Sequence, residues 1–191
     1  MCGRYYIEIE EPEMRDILHA VERNLGNTAQ HAAMKMGEIF PTNIVPVQAA
    51  DLGYTLMKWG FSRYDGKGQV INARSETASE KPMFRTSLLE SRCIVPASYY
   101  FEWEKVGTKK IKYSFRMPDA GLLYLAGLYR VEQNSEVPVF TILTRDAAPQ
   151  LMQIHHRMPV IIPKSSANAW LTEGSAAMGK AVENISFELA Q

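Results

Sequence analysis

Cysteine is scarce in this chain: only Cys2 and Cys93 occur among 191 residues. Two thiols exclude a disulfide framework and a cysteine-built zinc site, and they fit a reducing, cytoplasmic compartment. Net charge is absent as well, with 21 basic residues balancing 21 acidic ones. That balance excludes a histone-like polycation but leaves room for a local basic groove. No apolar stretch is long enough to cross a bilayer. The start lacks the basic region and apolar run of a signal peptide, so none is expected, and its glycine stands at position 3 where myristoylation needs position 2. Repeats, low-complexity tracts and Pro/Gly/Ser linkers are missing too, so a single domain over residues 1–191 is expected.

What is present reads mostly as strand. Tyr5 to Ile9 forms a first strand, and Met14, Ile17, Leu18 and Val21 then recur at helical spacing with Pro12 in the first turn. Residues 27–40 carry no clear period. Strands follow at Ile44–Gln48, Tyr54–Trp59 and Val70–Asn72, then a helix at Arg85–Glu90. The second half predicts strands at Cys93–Val95, Tyr99–Glu104, Ile111–Arg116, Leu122–Tyr129 and Val137–Thr144, with turn signals between them. Asp146 to Gln153 reads as a short helix capped by Asp146, Pro159–Ile162 as a strand, and Ser166–Leu171 as a last helix. Many strands without regular βαβ alternation indicate an α+β fold: a mostly antiparallel, barrel-like sheet with short flanking helices.

Cys2 carries the sharpest chemical signal. Once an initiator methionine is removed, it offers an α-amine beside a thiol, with reference pKa values of roughly 8 and about 8.5. The amine condenses with an aldehyde and the thiol closes the imine to a thiazolidine, so carbonyl chemistry and N-terminal-nucleophile hydrolysis both fit, as does a chance residue. Cys93 lies in the apolar run Cys93-Ile94-Val95-Pro96 and reads as a buried structural thiol.

Three further clusters set polar groups in apolar surroundings. In Ile71-Asn72-Ala73-Arg74-Ser75-Glu76-Thr77, Asn72 either turns the chain or orients a nucleophile, and Arg74 is either solvated or holds a phosphate. Alternation in Tyr99-Tyr100-Phe101-Glu102-Trp103-Glu104 puts Tyr100, Glu102 and Glu104 on one face. That face is either exposed and acidic, or it holds a desolvated carboxylate with a raised pKa suited to proton transfer. In Ile154-His155-His156-Arg157-Met158-Pro159, adjacent histidines are expected to point apart, so no metal is expected, and one histidine with Arg157 suits proton shuttling beside a phosphate. Trp59 and Phe61 are either core residues or platforms for an unpaired base.

Met-Cys-Gly-Arg, Trp59-Gly60, Asn72-Ala73-Arg74-Ser75-Glu76-Thr77, Cys93-Ile94-Val95-Pro96, Phe101-Glu102-Trp103, Ala126-Gly127-Leu128 and Ile154-His155-His156-Arg157-Met158-Pro159 follow one another in an order that resembles the SRAP family, the SOS-response-associated peptidases or abasic-site processing proteins. The resemblance runs from residue 2 to about 162. It implies covalent capture of abasic sites in single-stranded DNA through a thiazolidine at Cys2. By position it implies Asn72 at the reacting end, Glu102 and His155 as proton-transfer groups, and Arg4, Arg74 and Arg157 as phosphate contacts; stacking by Trp59 or Phe61 would then favour unpaired DNA. It also implies no cofactor, a monomer, and a cytoplasmic protein that joins the nucleoid when acting on DNA. Lyase activity, a Cys2 peptidase and a noncovalent single-strand binding module are the other activities in view. Two segments depart from the family: Glu38-Ile39-Phe40-Pro41-Thr42-Asn43, where Asn43 is the substitute for a missing asparagine, and the short tail after Leu171.

Overall fold

The computed structural model describes residues 2–119, 121–174 and 181–190. In chain order it forms β1 (Tyr5–Ile7), α1 (Pro12–Leu25), α2 (Ala29–Ala32), β2 (Gly37–Ile39), β3 (Ile44–Ala49), β4 (Gly53–Trp59), β5 (Phe61–Ser62), β6 (Gln69–Val70) and β7 (Asn72–Arg74). There follow α3 (Pro82–Glu90), β8 (Arg92–Ala97), β9 (Tyr99–Val106), β10 (Lys109–Arg116), β11 (Leu123–Arg130), β12 (Val139–Asp146), β13 (Arg157–Pro159), α4 (Ala167–Glu173) and β14 (Ser186–Leu189). The fold is α+β, with strands in the majority.

Two sheets carry the architecture. One has the order β14-β10-β9-β1-β2 and is antiparallel throughout. In the other, β11-β8-β3-β4-β12 is closed by a direct β11–β12 pairing, so these strands form a ring. Its parallel pairings are made by β12 with β4 and β7. Val139 pairs with both Arg130 and Lys58, and Ile142 with both Gly127 and Asn72, so β12 is bonded on both edges. The residues between β4 and β7 make the small β5–β6 hairpin and then return to the same edge.

Apolar periodicity accounts for the helices. Met14, Ile17 and Val21 bury one stripe of α1, which Pro12 opens because its missing N–H is unneeded in a first turn. Arg92 stops two helices at once: its guanidinium donates to Leu88 O and Leu89 O at the end of α3, and to Trp170 O, Leu171 O and Thr172 O in α4. Carbonyls at a helix end have no intrahelical donor, and a cation placed there satisfies them and their negative field. Between the sheets, Tyr5 meets Trp59 at a ring-centroid distance of 5.3 Å, and Trp59 stacks on its register partner Phe140.

Two expectations are corrected here, and one strand is added. Asp146 ends β12, where it pairs with Arg157 of β13, and only Pro149–Leu151 makes a 3-10 turn, so no Asp-capped helix forms. The strand expected at Pro159–Ile162 lies earlier, at Arg157–Pro159, because its partners are the last residues of β12. The tail adds a strand, β14, on the open edge of β10.

Gly127 of β11 lies against both neighbouring strands of the ring. A Cβ there would sit 2.8 Å from Cys93 Sγ and 3.1 Å from the Thr141 carbonyl oxygen. Backbone on one side cannot yield without breaking the ladder, so overpacking is expected. Gly127→Ala should lower stability by about 1–3 kcal/mol, read as an earlier urea midpoint with unchanged slope.

Candidate active site

Cys2 lies just before β1 with its side chain fully buried, and the thiol donates weakly to the Arg4 carbonyl oxygen at 4.0 Å. Burial, then the nearby charge of Glu102, pushes the thiol pKa far above its ordinary value. At neutral pH the sulfur is therefore held as a neutral thiol. Asn72 opens β7 and is aligned by two hydrogen bonds of its predecessor Ile71, whose carbonyl accepts from Trp59 Nε1 at 3.0 Å and from Ile142 N at 3.0 Å. So placed, Asn72 Nδ2 donates to the Cys2 carbonyl oxygen at 2.9 Å.

Glu102 stands in the middle of β9. Strand alternation turns Tyr100 and Glu102 inward, and Tyr100 stacks on Phe115 at 4.8 Å. Only 3% of Glu102 is exposed, so this face is not a solvated acidic one. Burial raises the carboxyl pKa, with the amino-terminal charge acting in the opposite direction. Phe101 and Trp103 face the other way, against Lys112 and Arg4.

His155 precedes β13. Its Nδ1 lies 3.0 Å from the Arg157 backbone nitrogen and 3.2 Å from the Arg157 carbonyl oxygen, accepting from the first in one tautomer and donating to the second in the other. Burial, then the positive charge at the amino terminus, lowers its pKa from 6.5 to about 4. The rings of His155 and His156 stack at 4.6 Å, contrary to the expectation that they diverge. Among the described residues, no three His, Cys, Asp or Glu side chains gather as metal ligands.

The residues expected on DNA separate into three groups. Trp59 is fully buried against Phe140 and donates to Ile71 O, so it is a core residue unable to stack on a base, and Phe61 is equally buried. Arg157 is 6% exposed; its terminal nitrogens are bonded to Glu76, Asp146 and Thr144, while its Nε is buried without a hydrogen-bond partner. Arg4 stays at the rim, paired with Glu38 at 3.2 Å and stacked over Phe40 at 4.1 Å. Arg74 is exposed beside Asn72 in a groove of about 450 Å³ that also includes Tyr64, Val70, Lys81 and Phe84.

Sequence reasoning passed over Phe40, Tyr64, Lys81 and Phe84. The departing segment places Phe40 on the surface through a turn in which Thr42 has φ 75°, Thr42 N donates to Trp59 O, and the Asn43 side-chain oxygen accepts from Phe40 N. Asn43 thus closes the turn. A β-branched residue in the left-handed region is costly, and aromatic exposure at such a turn leaves no periodic signal.

The family model of SOS response associated peptidase (SRAP) matches residues 1–189. Among curated proteins, the abasic site processing protein YoaM of Bacillus subtilis is 37% identical over 107 residues, covering 54% of this chain and 47% of that protein. YedK of Escherichia coli, also named an abasic site processing protein, is 32% identical over 118 residues, covering 60% of this chain and 53% of its own. The chain spans about half the length of the curated relatives it matches. A crystal structure from Bacteroides thetaiotaomicron superposes with a TM-score of 0.79 at 22% identity over 100% of this chain and 92% of that one. A phage-related protein from Bordetella bronchiseptica gives 0.74 at 21% identity, covering 100% and 94%. At these identities the likeness is one of fold.

The depressed His155 pKa has a consequence for stability. The unfolded chain takes this proton near pH 6.5 and the folded chain only near pH 4, so folding energy is lost as pH falls through that window. Urea midpoints measured from pH 7 down to 4 should fall more steeply for the native chain than for His155→Gln. Parallel curves would show that the imidazole is not desolvated.

Proposed function

The chain belongs to the SOS response associated peptidase (SRAP) family, and we propose that it acts as one domain to capture abasic sites in single-stranded DNA covalently through Cys2. The observation that carries this reading is the Asn72 hydrogen bond to the Cys2 carbonyl, made within electrostatic reach of the buried Glu102. Curated relatives named abasic site processing proteins support the substrate class.

With Met1 removed, the Cys2 amine attacks C1′ of the ring-opened abasic sugar. Water leaves and an imine forms. The Cys2 S–H then adds across the C=N bond: sulfur bonds to C1′ and the proton passes to nitrogen, closing a thiazolidine. One amine, one thiol and one aldehyde give one thiazolidine and one water. A neutral thiol suits this order, because the amine is the first nucleophile and the sulfur follows. Glu102, kept protonatable by burial, delivers a proton to the departing oxygen and accepts one back. His155, whose lowered pKa keeps the ring neutral, relays a proton between the thiol and the departing oxygen. Asn72 holds the Cys2 carbonyl and so fixes the direction of the amine.

On the DNA side, Arg74 and Lys81 carry the phosphates, while Phe84 and Tyr64 give apolar surface to unstacked bases. Arg4, two residues after Cys2, lies over the rings of Phe40 and Trp103 and adds a second cation near the site. A neutral chain thereby gains a local basic path.

Incubation with an abasic oligonucleotide, followed by a denaturing gel, tests the covalent step. The native protein should give a stable adduct, with intact mass showing loss of Met1. Cys2→Ala should give none, Cys93→Ala should match the native protein, and Glu102→Gln should slow adduct formation by about 100-fold or more. Retained Met1 in an active protein, or an adduct at the native rate from Cys2→Ala, would remove the thiazolidine.

Phosphate contact is tested separately by single-strand affinity against salt. Arg74→Ala should weaken binding and make the salt dependence shallower by roughly one phosphate contact. An unaltered slope would assign Arg74 to folding alone.

A further inference from the structure

Glu38 belongs to the segment that departs from the family pattern, and it takes no part in the covalent chemistry above. It sits in the edge strand β2, in register with Tyr6 of β1. One of its oxygens, Oε1, accepts from two cations at once: Arg4 Nη1 at 3.2 Å and Lys112 Nζ at 2.8 Å. Lys112 comes from β10, where it pairs with Trp103 of β9. Side chains from β2, from β10 and from the approach to β1 thus converge on a single oxygen. Arg4 places that oxygen close to the reacting end, two residues along the chain from Cys2.

Two features separate this cluster from an ordinary surface ion pair. The first is that the cations do not depend on the carboxylate for their positions. The Arg4 guanidinium lies 4.1 Å from the Phe40 ring centroid and 5.3 Å from that of Trp103. Lys112 Nζ lies 3.7 Å from the Phe101 centroid and 6.0 Å from that of Trp103. A ring face attracts a cation through its quadrupole and still holds it when an anion leaves. Arg4 also keeps a donor unused, since its Nε is buried with no hydrogen-bond partner. The second feature is access. The side chains of Glu38 and Arg4 are each 31% exposed and that of Lys112 25%, so a ligand can reach them from solvent. Glu38, Phe101 and Lys112 border a cavity of about 330 Å³, which leaves the glutamate room to turn aside. Two donors with full charge around one oxygen are the arrangement a phosphate oxygen needs.

We propose that Arg4 and Lys112 together form a phosphate subsite for the strand flanking the captured sugar, and that Glu38 occupies this subsite in the unbound protein as a built-in competitor. On binding, a phosphate oxygen replaces Glu38 Oε1 between the two cations and the carboxylate turns aside. The apparent affinity is lowered to the extent that Glu38 holds the cations. A strand already anchored at Cys2 displaces the carboxylate more readily than a passing one, because anchoring raises the effective concentration of its phosphates. This inference rests on the reading of the Cys2 site as one for single-stranded DNA, so its test includes a readout that needs no DNA.

Affinity for an unmodified single-stranded oligonucleotide, measured across salt concentrations, separates competitor from structural partner. Glu38→Gln should tighten binding roughly three- to tenfold at low salt and steepen the salt dependence by up to about one phosphate contact, because the DNA no longer displaces a carboxylate. Lys112→Met, which keeps the apolar stem over Phe101, should weaken binding and make the salt dependence shallower. In the double variant the gain from Glu38→Gln should be smaller than in the native background, since the carboxylate acts on the pair. Unaltered or weaker binding in Glu38→Gln overturns the proposal. An equal gain with and without Lys112 also overturns it, because that would be a general effect of removing one negative charge. The DNA-free arm is a titration with inorganic phosphate, followed at the Trp103 indole and Arg4 Nε–H resonances. These should shift at lower phosphate concentration in Glu38→Gln than in the native protein, and no shift in either overturns the subsite. Phosphate-dependent shifts with strand affinity untouched by Lys112→Met would assign the site to free anions and overturn the strand contact. If the native protein neither binds strands nor forms an adduct, the DNA reading falls, while the phosphate titration still decides whether Arg4 and Lys112 form an anion site guarded by Glu38.

Discussion

Strand β12 is bonded on both edges, and the arrangement of the site follows from that. Along one edge it pairs with β11 and then β13, and along the other with the end of β4 and then β7. A buried strand must satisfy its N–H and C=O groups on each side, so these short segments are held in register by hydrogen bonds that water cannot replace. Asn72 pairs with Ile142 on one edge, and Arg157 with Asp146 further along. Residues 85 positions apart in the chain are thereby set on the two flanks of one strand, close enough for Glu76 to reach Arg157.

Against this frame the five-stranded sheet contributes the rest. Its strand β1 brings Cys2 in, and β9 brings Glu102, so the candidate site lies at the seam of the two sheets. Burial there acts on both groups in the same sense, because low polarity disfavours a thiolate and a carboxylate alike. Such groups oppose folding slightly, and the aromatic interior of Tyr5, Trp59, Tyr100, Phe115 and Phe140 offsets them by removing apolar surface from water.

Charge is arranged locally rather than globally. Glu38 receives both Arg4 and Lys112, and those cations lie over the rings of Phe40 and Phe101. Pairing and stacking hold them in fixed directions, which a net count of zero conceals. Arg74, exposed beside the groove, is arranged differently from Arg157, which is enclosed by carboxylates and carbonyls.

Much of the fold was legible along the chain. Alternation and turn residues located the strands of the second half to within a few residues, and the spacing of Met14, Ile17 and Val21 located α1, because these signals are set by neighbours in sequence. The thiol at position 2, Asn72 and Glu102 were also legible as unusual polar groups in apolar surroundings. Asp146 was not: its residue type suits a helix cap, yet its role depends on Arg157, a partner supplied by strand pairing. The burial of Trp59 and Arg157 was not legible for the same reason, since an aromatic ring or a guanidinium reads alike in sequence whether it faces the surface or the interior. The sequence by itself determined the strand-rich α+β class and the chemical inventory of the site. Only the tertiary structure decided which arginine is buried and which aromatic is exposed, because each depends on long-range contacts and on exclusion of water that no local pattern encodes.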